Sequence, residues 1–370
     1  MNTSKTSTNP ASVLIASPEA GGPATYVETL IRELPVPVSV LGFSSFLSFP
    51  PILRHVLFTF ALTTRALTAR VLYAQDPVST GLPAYLAARI TGRRFILKVV
   101  GDFAWEQGVL RYRVPYSLDE FMEHSDVHWY VKFLRVIQSF VARHADRIIV
   151  PSNYLARMVI GWGVERQRVS VIRNGYSVSF NKKLRVDIRR ELEIDGFVII
   201  SAGRMVPWKG FESLIEAVAS LKKEIPDIKL LIAGDGPDRE KIEKLIRKIG
   251  VEDIVKMLGH VPRYTLHEYL RGSDLFVLNS SYEGMSHQLL EAMALGVPIV
   301  TTTAGGNQEM LSDKKEALLV PSQDRNALVE AIRELYRNVS FREFLARAGH
   351  ERVKEFSEKK MIGETATILL

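Results

Sequence analysis

The chain of 370 residues contains no cysteine, so neither a disulfide nor a thiolate metal site can form. It has no run of eighteen uncharged apolar residues, so no membrane-spanning helix is expected. The early apolar stretch Val13-Leu14-Ile15-Ala16 is too short for the hydrophobic region of a secretion signal. Residues 1–10 are polar and read as disordered. No short tandem repeat is present. No interleaved aromatic and basic motif marks a nucleic-acid module, and nucleic acid is not expected as a partner. The lack of cysteine fits a cytoplasmic protein.

Hydrophobic residues make up 46% of the chain and charged residues 24%, as in soluble globular proteins, and the length suits two domains. The net charge of +7 is unevenly spread. Residues 1–180 hold 19 Lys and Arg against 12 Asp and Glu, whereas residues 181–370 hold 29 of each. The excess reads either as attraction to an anionic acceptor or membrane surface or as an ordinary solvated basic face. Residues 43–62 raise the same choice. They are rich in Phe and Leu, are broken by Pro50-Pro51 and carry Arg54 and His55. Such a segment lies in a membrane interface without spanning it, or folds as helices packed within the first domain.

Short apolar runs at 11–17, 38–42, 71–75, 94–100 and 147–151 alternate with helical or irregular stretches, and 171–175 ends this half. Residues 176–195 are charged and weakly periodic and read as a linker. Further strands are expected at 197–203, 228–234, 256–259, 274–279, 298–302 and 317–320. Helices are expected at 210–224, 237–250, 264–272, 287–295, 307–312 and 324–337, with a last one at 356–370. Alternating strands and helices predict an α/β architecture with two doubly wound parallel sheets. Ligands of such sheets bind beyond the carboxyl ends of the strands. Five loops, at 203–209, 234–237, 259–261, 279–291 and 303–309, fall there.

The most informative of these loops is Glu283-Gly284-Met285-Ser286-His287-Gln288-Leu289-Leu290-Glu291. Glu283 lies in a glycine-containing turn, and Glu291, eight residues on, lies on the helix that follows. Ser286 suits the N-cap and Gly296-Val297-Pro298 the stop. A helix N-terminus with unpaired N–H groups faces a polar site and suits a diphosphate, while the glutamates suit sugar hydroxyls. Gly203, Arg204 and Lys209 follow the first strand of the second half and place cations beside a developing phosphate charge. Gly21-Gly22 sits between the first strand and first helix, where a backbone can approach a phosphate closely. Gly305-Gly306 reads as a turn and helix cap. Asp102 follows the strand at 94–100, either as a group projecting from the carboxyl edge or as a cap of the next turn. Glu106 shares its face if a helix starts there.

The ordered set of Gly21-Gly22, Asn174-Gly175, the loop from Ser201 to Gly210, Ala233-Gly234-Asp235-Gly236-Pro237, Leu258-Gly259-His260-Val261 and the Glu283/Glu291 pair resembles the family 4 retaining glycosyltransferases of the GT-B fold, with their E-x7-E motif. The resemblance spans nearly the whole chain and is strongest over 201–298. It implies two Rossmann-like domains facing across a cleft, at 1–180 for the acceptor and 181–355 for the sugar nucleotide, with a helix at 356–370 returning to the first. It implies transfer of a sugar from a nucleoside diphosphate sugar to a hydroxyl acceptor, as in cell-envelope or polysaccharide biosynthesis. Arg204 and Lys209 would hold the diphosphate, Glu283 the sugar hydroxyls and Glu291 the ribose diol. Gly234, His260 and Val261 would line the donor site, with backbone N–H groups offered at Met285, Ser286 and His287. Asp102 stands where many members carry a catalytic histidine. Many members have Phe-Gly where this chain has Met285-Ser286, a departure that bears on the donor sugar. No D-x-D sequence occurs. Glycosyltransferases of the other large fold hold a divalent metal with that motif, so no metal or cofactor is expected here. The setting implied is cytoplasmic, with peripheral contact at the inner face of a membrane as one reading. A sugar-nucleotide epimerase, a phosphorylase and a non-catalytic sugar-nucleotide-binding protein remain the alternatives on this fold.

Overall fold

The computed structural model describes residues 12–18, 22–177 and 183–370. The chain divides into two compact units, one holding the residues up to Arg173 together with Lys359–Leu370, the other Asn174–Glu358.

The first unit is built on β1 (Val13–Ser17), β2 (Val38–Gly42), β3 (Val71–Ala74), β4 (Arg94–Lys98), β5 (Arg147–Val150) and β6 (Val169–Val171). All pair in parallel in the order β2-β1-β3-β4-β5-β6, with Ile15 opposite both Val40 and Tyr73. One face is covered by the helices Gly22–Glu33 and Glu358–Leu369, whose Tyr26, Leu30, Met361 and Leu369 close over Val13, Ile15, Tyr73 and Ile96. Tyr26 Oη also bonds Tyr73 Oη at 2.9 Å and Thr365 Oγ1 at 3.3 Å. The connections β2 to β3, β3 to β4 and β4 to β5 all advance the same way across the sheet. Right-handed crossovers therefore place the helices Pro51–Ala66, Gly81–Thr91 and Trp129–Arg143 on the other face.

The second unit repeats the plan with β7 (Phe197–Ala202), β8 (Ile228–Ala233), β9 (Val255–Gly259), β10 (Leu275–Leu278), β11 (Ile299–Thr302) and β12 (Leu318–Val320). The order is β12-β11-β10-β7-β8-β9, again all parallel. Alternate residues of a strand face opposite sides. Phe197 and Ile199 accordingly join the core with Leu214, Val218 and Leu230, while Val198 and Ile200 join that with Phe276, Leu289 and Met293. Covered on both faces, β7 is buried along its whole length, which is why it reads as an unbroken apolar run. Chain order reverses between β7 and β10, the topological switch point where doubly wound sheets bind ligands.

The structure departs from the expected elements at three places, the first being 307–312, where a short 3₁₀ turn at Gly305–Glu309 stands in place of the expected helix. Residues 185–191, read as linker, form a helix of the second unit, Arg185–Glu191, because Ile188 is buried and the Arg189 guanidinium reaches Gly272 O at 2.9 Å and Gly196 O at 2.7 Å. A further helix, Val339–Arg352, follows Arg325–Arg337 almost directly. Asn338 makes the break: its Oδ1 accepts the Phe341 N–H at 3.0 Å and so caps the new helix. Among the described residues no helix is long and apolar enough to cross a membrane.

Candidate active site

At the carboxyl end of β7 the chain turns through Gly203 and Arg204 into a short turn at Pro207–Lys209, then enters the helix Phe211–Leu221. Two hydrogen bonds to main-chain carbonyls tie this turn to the loop after β10. Ser281 N–H donates to Trp208 O at 2.8 Å, and Asn279 Nδ2 donates to Gly210 O at 3.0 Å. The charged contact follows from them: Lys209 Nζ lies 2.6 Å from Glu283 Oε1, with both side chains about nine-tenths buried. Ser280 Oγ donates to the same oxygen at 2.6 Å. The pair thus bridges the loops after β7 and β10, across the switch point. An ion pair this shielded is strongly coupled, since removing either partner strands a buried charge.

Two glycines make the close approaches that this arrangement needs. Gly305 has φ +53°, and a Cβ there would stand 2.1 Å from Glu283 O, which also accepts the Gly306 N–H at 2.9 Å. The Gly305-Gly306 pair therefore pins the main chain of Glu283. Gly234, at φ +132°, is packed so that a Cβ would meet Gly203 O at 2.0 Å. The loops after β7 and β8 consequently lie against each other beside Lys209.

Glu291 belongs to a second cluster. It lies on the helix His287–Ala294, capped by Ser286, whose Oγ accepts the Leu289 N–H at 3.4 Å. Its Oε1 accepts from Arg263 Nε at 3.0 Å and lies 3.7 Å from His267 Nε2. His267 Nε2 in turn lies 3.0 Å from Tyr176 Oη. Burial, and then the Glu291 carboxylate, hold the Tyr176 phenol well above its ordinary pKa. Met285, just before this helix, is held by Asn174, whose Nδ2 donates to Met285 O at 3.1 Å. Glu283 and Glu291 share one feature. Each is anchored through Oε1, and no described residue bonds to Oε2.

The residues singled out from the sequence thus distribute unevenly. Gly203, Lys209, Gly234, Glu283 and Gly284 come together at the switch point, with Met285, Ser286, His287 and Glu291 continuing from them. Arg204 stands on the same loop, exposed and without an ion pair among the described residues. His260 and Val261 sit just past β9 and lead into the helix Arg263–Gly272. Gly21 lies outside the described residues, and Gly22 begins the helix Gly22–Glu33 of the other unit.

Asp102 requires a correction. Its side chain does not project from the carboxyl edge; it is fully buried and caps the helix Phe103–Tyr112, with Oδ1 accepting the Trp105 N–H at 2.8 Å. Gln138 Oε1 takes the neighbouring Ala104 N–H at 3.0 Å. Two of the helix's unpaired N–H groups are thereby satisfied, and this demand draws the carboxylate inward. Burial raises the Asp102 pKa, partly offset by Trp105, Gln138, Arg135 and Trp162. Glu106 lies in the first turn of the same helix.

Sequence reasoning missed Arg263, His267 and Tyr176 as the setting of Glu291. It also missed Ser280, whose hydroxyl signalled nothing without the fold. Among the described residues no group of three or more His, Asp or Glu side chains converges at metal-ligand spacing.

Residues 11–175 match the family described as Glycosyl transferase 4-like domain, and residues 185–352 match Glycosyl transferases group 1. The chain belongs to the family 4 glycosyltransferases. Similar members include two lipopolysaccharide core biosynthesis glycosyltransferases of Rhizobium meliloti. LpsE is 33% identical over 221 residues, covering 59% of this chain and 62% of LpsE. LpsD is 36% identical over 166 residues, covering 45% of this chain and 47% of LpsD. The chain therefore spans between about half and three-fifths of these relatives' length. Sucrose-phosphate synthase of Thermosynechococcus elongatus superposes with a TM-score of 0.81 at 21% identity, over 96% of this chain and 98% of the synthase. Anabaena HepE, solved with UDP and glucose, gives 0.79 at 19% identity over 97% and 99%. The fold of this family 4 member is GT-B.

Proposed function

We propose that the chain is a retaining glycosyltransferase that moves a sugar from a nucleoside diphosphate sugar to a hydroxyl acceptor and needs no metal. The observation that carries this reading is the pair of carboxylates, each fixed at Oε1 by a cation and open at Oε2, at and just beyond the switch point. An acceptor-only oxygen held in place suits a hydroxyl donor. Glu283 Oε2 would then take a sugar hydroxyl and Glu291 Oε2 a ribose hydroxyl.

Lys209 has three N–H donors and gives one to Glu283. The others are available to a phosphate, and the exposed Arg204 guanidinium can grip a second phosphate oxygen bidentately. Negative charge grows on the diphosphate as the anomeric C–O bond breaks. Fixed cations stabilise that charge without reorganising. The acceptor oxygen attacks from the side of the departing diphosphate, and its proton passes to a phosphate oxygen, so the anomeric configuration is kept. Lys209 and Arg204 thus supply the charge stabilisation that a metal supplies elsewhere. HepE was solved with UDP-glucose and the Rhizobium relatives are named for lipopolysaccharide core synthesis. A uridine diphosphate sugar and an envelope glycan are accordingly the donor and acceptor class to test first.

The purified chain is incubated with uridine, guanosine and adenosine diphosphate sugars, and nucleotide release is followed together with the anomeric proton signal of the product. The expected product keeps the donor's configuration, and activity survives a chelator. An inverted product rules out retention, and a loss restored only by added divalent cation rules out metal independence. Donor binding without turnover in any acceptor mixture would make the chain a sugar-nucleotide-binding protein instead.

A further inference from the structure

The helices Pro51–Ala66, Gly81–Thr91 and Trp129–Arg143 cover one face of the first unit and contain no Asp or Glu between them. Each turns apolar side chains outward in a regular stripe. Ile52, Val56 and Phe60 follow one another at helical spacing and are 83%, 58% and 68% exposed. Leu86 and Ile90 continue the pattern on the second helix, with Ile90 70% exposed. Trp129, Phe133, Val136 and Phe140 do so on the third. The stripes adjoin. An apolar groove of about 430 Å³ runs between the first two helices, lined by Val56, Phe60, Leu82, Leu86 and Ile90 among others. Tyr85 carries the surface to the third helix through Phe140, ring centroids 5.4 Å apart. Single exposed apolar residues are ordinary, but a contiguous patch marks a contact surface.

The charge beside this patch says what the contact is. Arg65, Arg89 and Arg143 close the last turns of the three helices. Those ends share one rim, since each helix leads back to the amino edge of the sheet, where Arg70, Arg93 and Arg94 stand as well. Between Glu33 and Asp102 the only acidic residue is Asp76, and its carboxylate is turned inward onto the N–H groups of Val78 and Ser79 at 2.8 and 2.5 Å. A second copy of this face would bring like charges together. An anionic bilayer presents the complement of both features, phosphate at the headgroups for the arginines and hydrocarbon for the stripes. We propose that this three-helix face docks the chain peripherally on an anionic membrane. The inference goes beyond the transferase reading and does not depend on the donor chemistry.

The test is co-sedimentation of the full chain with vesicles of phosphatidylcholine alone or with about one third phosphatidylglycerol, a content that gives an anionic surface. Recovery is expected with the anionic vesicles and to fall in high salt. Phe60→Ser combined with Ile90→Ser, and separately Arg89→Glu, should each reduce bound protein by about tenfold, since buried apolar area and surface charge both set the affinity. Phe344→Ser, on an exposed helix of the second unit, should change nothing. All these side chains are exposed, so melting midpoints should stay at the wild-type value, and so should nucleotide release with a water-soluble acceptor. Equal recovery with both vesicle types, or recovery indifferent to the first-unit substitutions, overturns the proposal. A wild-type dimer in sedimentation velocity that the double substitution dissolves would assign the face to self-association and overturn it too. Failure of the transferase assay alone would leave vesicle binding untouched.

Discussion

The two units share a sheet plan and differ in how they treat charge. Helices of the second unit are laced with ion pairs at their surfaces, such as Lys241–Glu212 at 2.6 Å, Arg325–Glu216 at 2.8 Å and Arg333–Glu224 at 2.7 Å. Three helices of the first unit have no carboxylate with which to form any. The interiors differ as well. The second unit buries Lys209 against Glu283. The first buries Lys98 over the Tyr26 ring with no carboxylate partner among the described residues, its pKa driven well below the usual lysine range by desolvation, and buries Asp102 as a cap. A buried charge with a partner and an open side is equipped to meet a ligand. Asp102 gives Oδ1 to the Trp105 N–H and leaves Oδ2 without a partner among the described residues but sealed from solvent, so it is not. This difference separates a site from a structural device at the same topological position, the carboxyl end of a parallel strand.

The comparison breaks first if the paired charges prove dispensable. Lys209→Ala and Glu283→Gln should each lower turnover by about a hundredfold or more, the scale for losing a preorganised electrostatic contact. Near-wild-type turnover in either folded variant, measured by nucleotide release, removes the switch point from the chemistry. A smaller loss tests the scaffold behind it. Gly305→Ala must move Glu283 or its own strained backbone, and about a tenfold fall in turnover with a lower melting midpoint is expected from such misplacement. A fall in stability with full turnover would detach Gly305 from the site.

Asp102 sharpens the contrast from the other side. Burial raises its folded-state pKa, so its favourable contribution is complete below the unfolded value of about 3.9 and is lost as pH rises through the folded one. Asp102→Asn keeps a capping oxygen without that loss. Its melting midpoint should equal or exceed wild type at pH 7, with the gap closing at acid pH, while Asp102→Ala should lose the cap, about 1 kcal/mol. A large loss of turnover in a stable Asp102→Asn variant would return this residue to catalysis. The smallest effect is expected at the second unit's surface. Glu216→Gln removes the partner of the exposed Arg325, and the melting midpoint should barely change because water and salt screen such pairs.

Much of this architecture was legible in the sequence for a physical reason. A parallel strand covered on both faces reads as an apolar run, and the loops beyond it carry glycine and charge, so 197–203 and 283–291 announced themselves. Side-chain direction was less accessible. Asp102 was placed correctly at a strand end, but its inward turn depends on a helix N-terminus shared with Gln138, which takes the Ala104 N–H from thirty-four residues further on. Arg263 and Glu291 meet across twenty-eight residues, and nothing local predicts that. The helix at 339–352 was overlooked because Asn338 both ends one helix and caps the next without glycine or proline. The helix at 185–191 hid in its charge, since arginines that serve Asp274 and main-chain carbonyls look like solvated residues until the fold is known.

The first unit draws its last helix from the far end of the chain, with Lys359–Leu370 completing it after the whole of Asn174–Glu358 has intervened. During synthesis Tyr26 therefore waits for Thr365, and one side of the first sheet has only the helix Gly22–Glu33 to cover it while the second unit, contiguous in sequence, already has every residue it needs. The order of emergence from the ribosome and the order of completion are then opposite. Hydrogen exchange during translation or refolding should find the strands of the second unit protected first, and removal of the last twelve residues should expose the amides of β1 and β3 while leaving those of β7 and β10 protected.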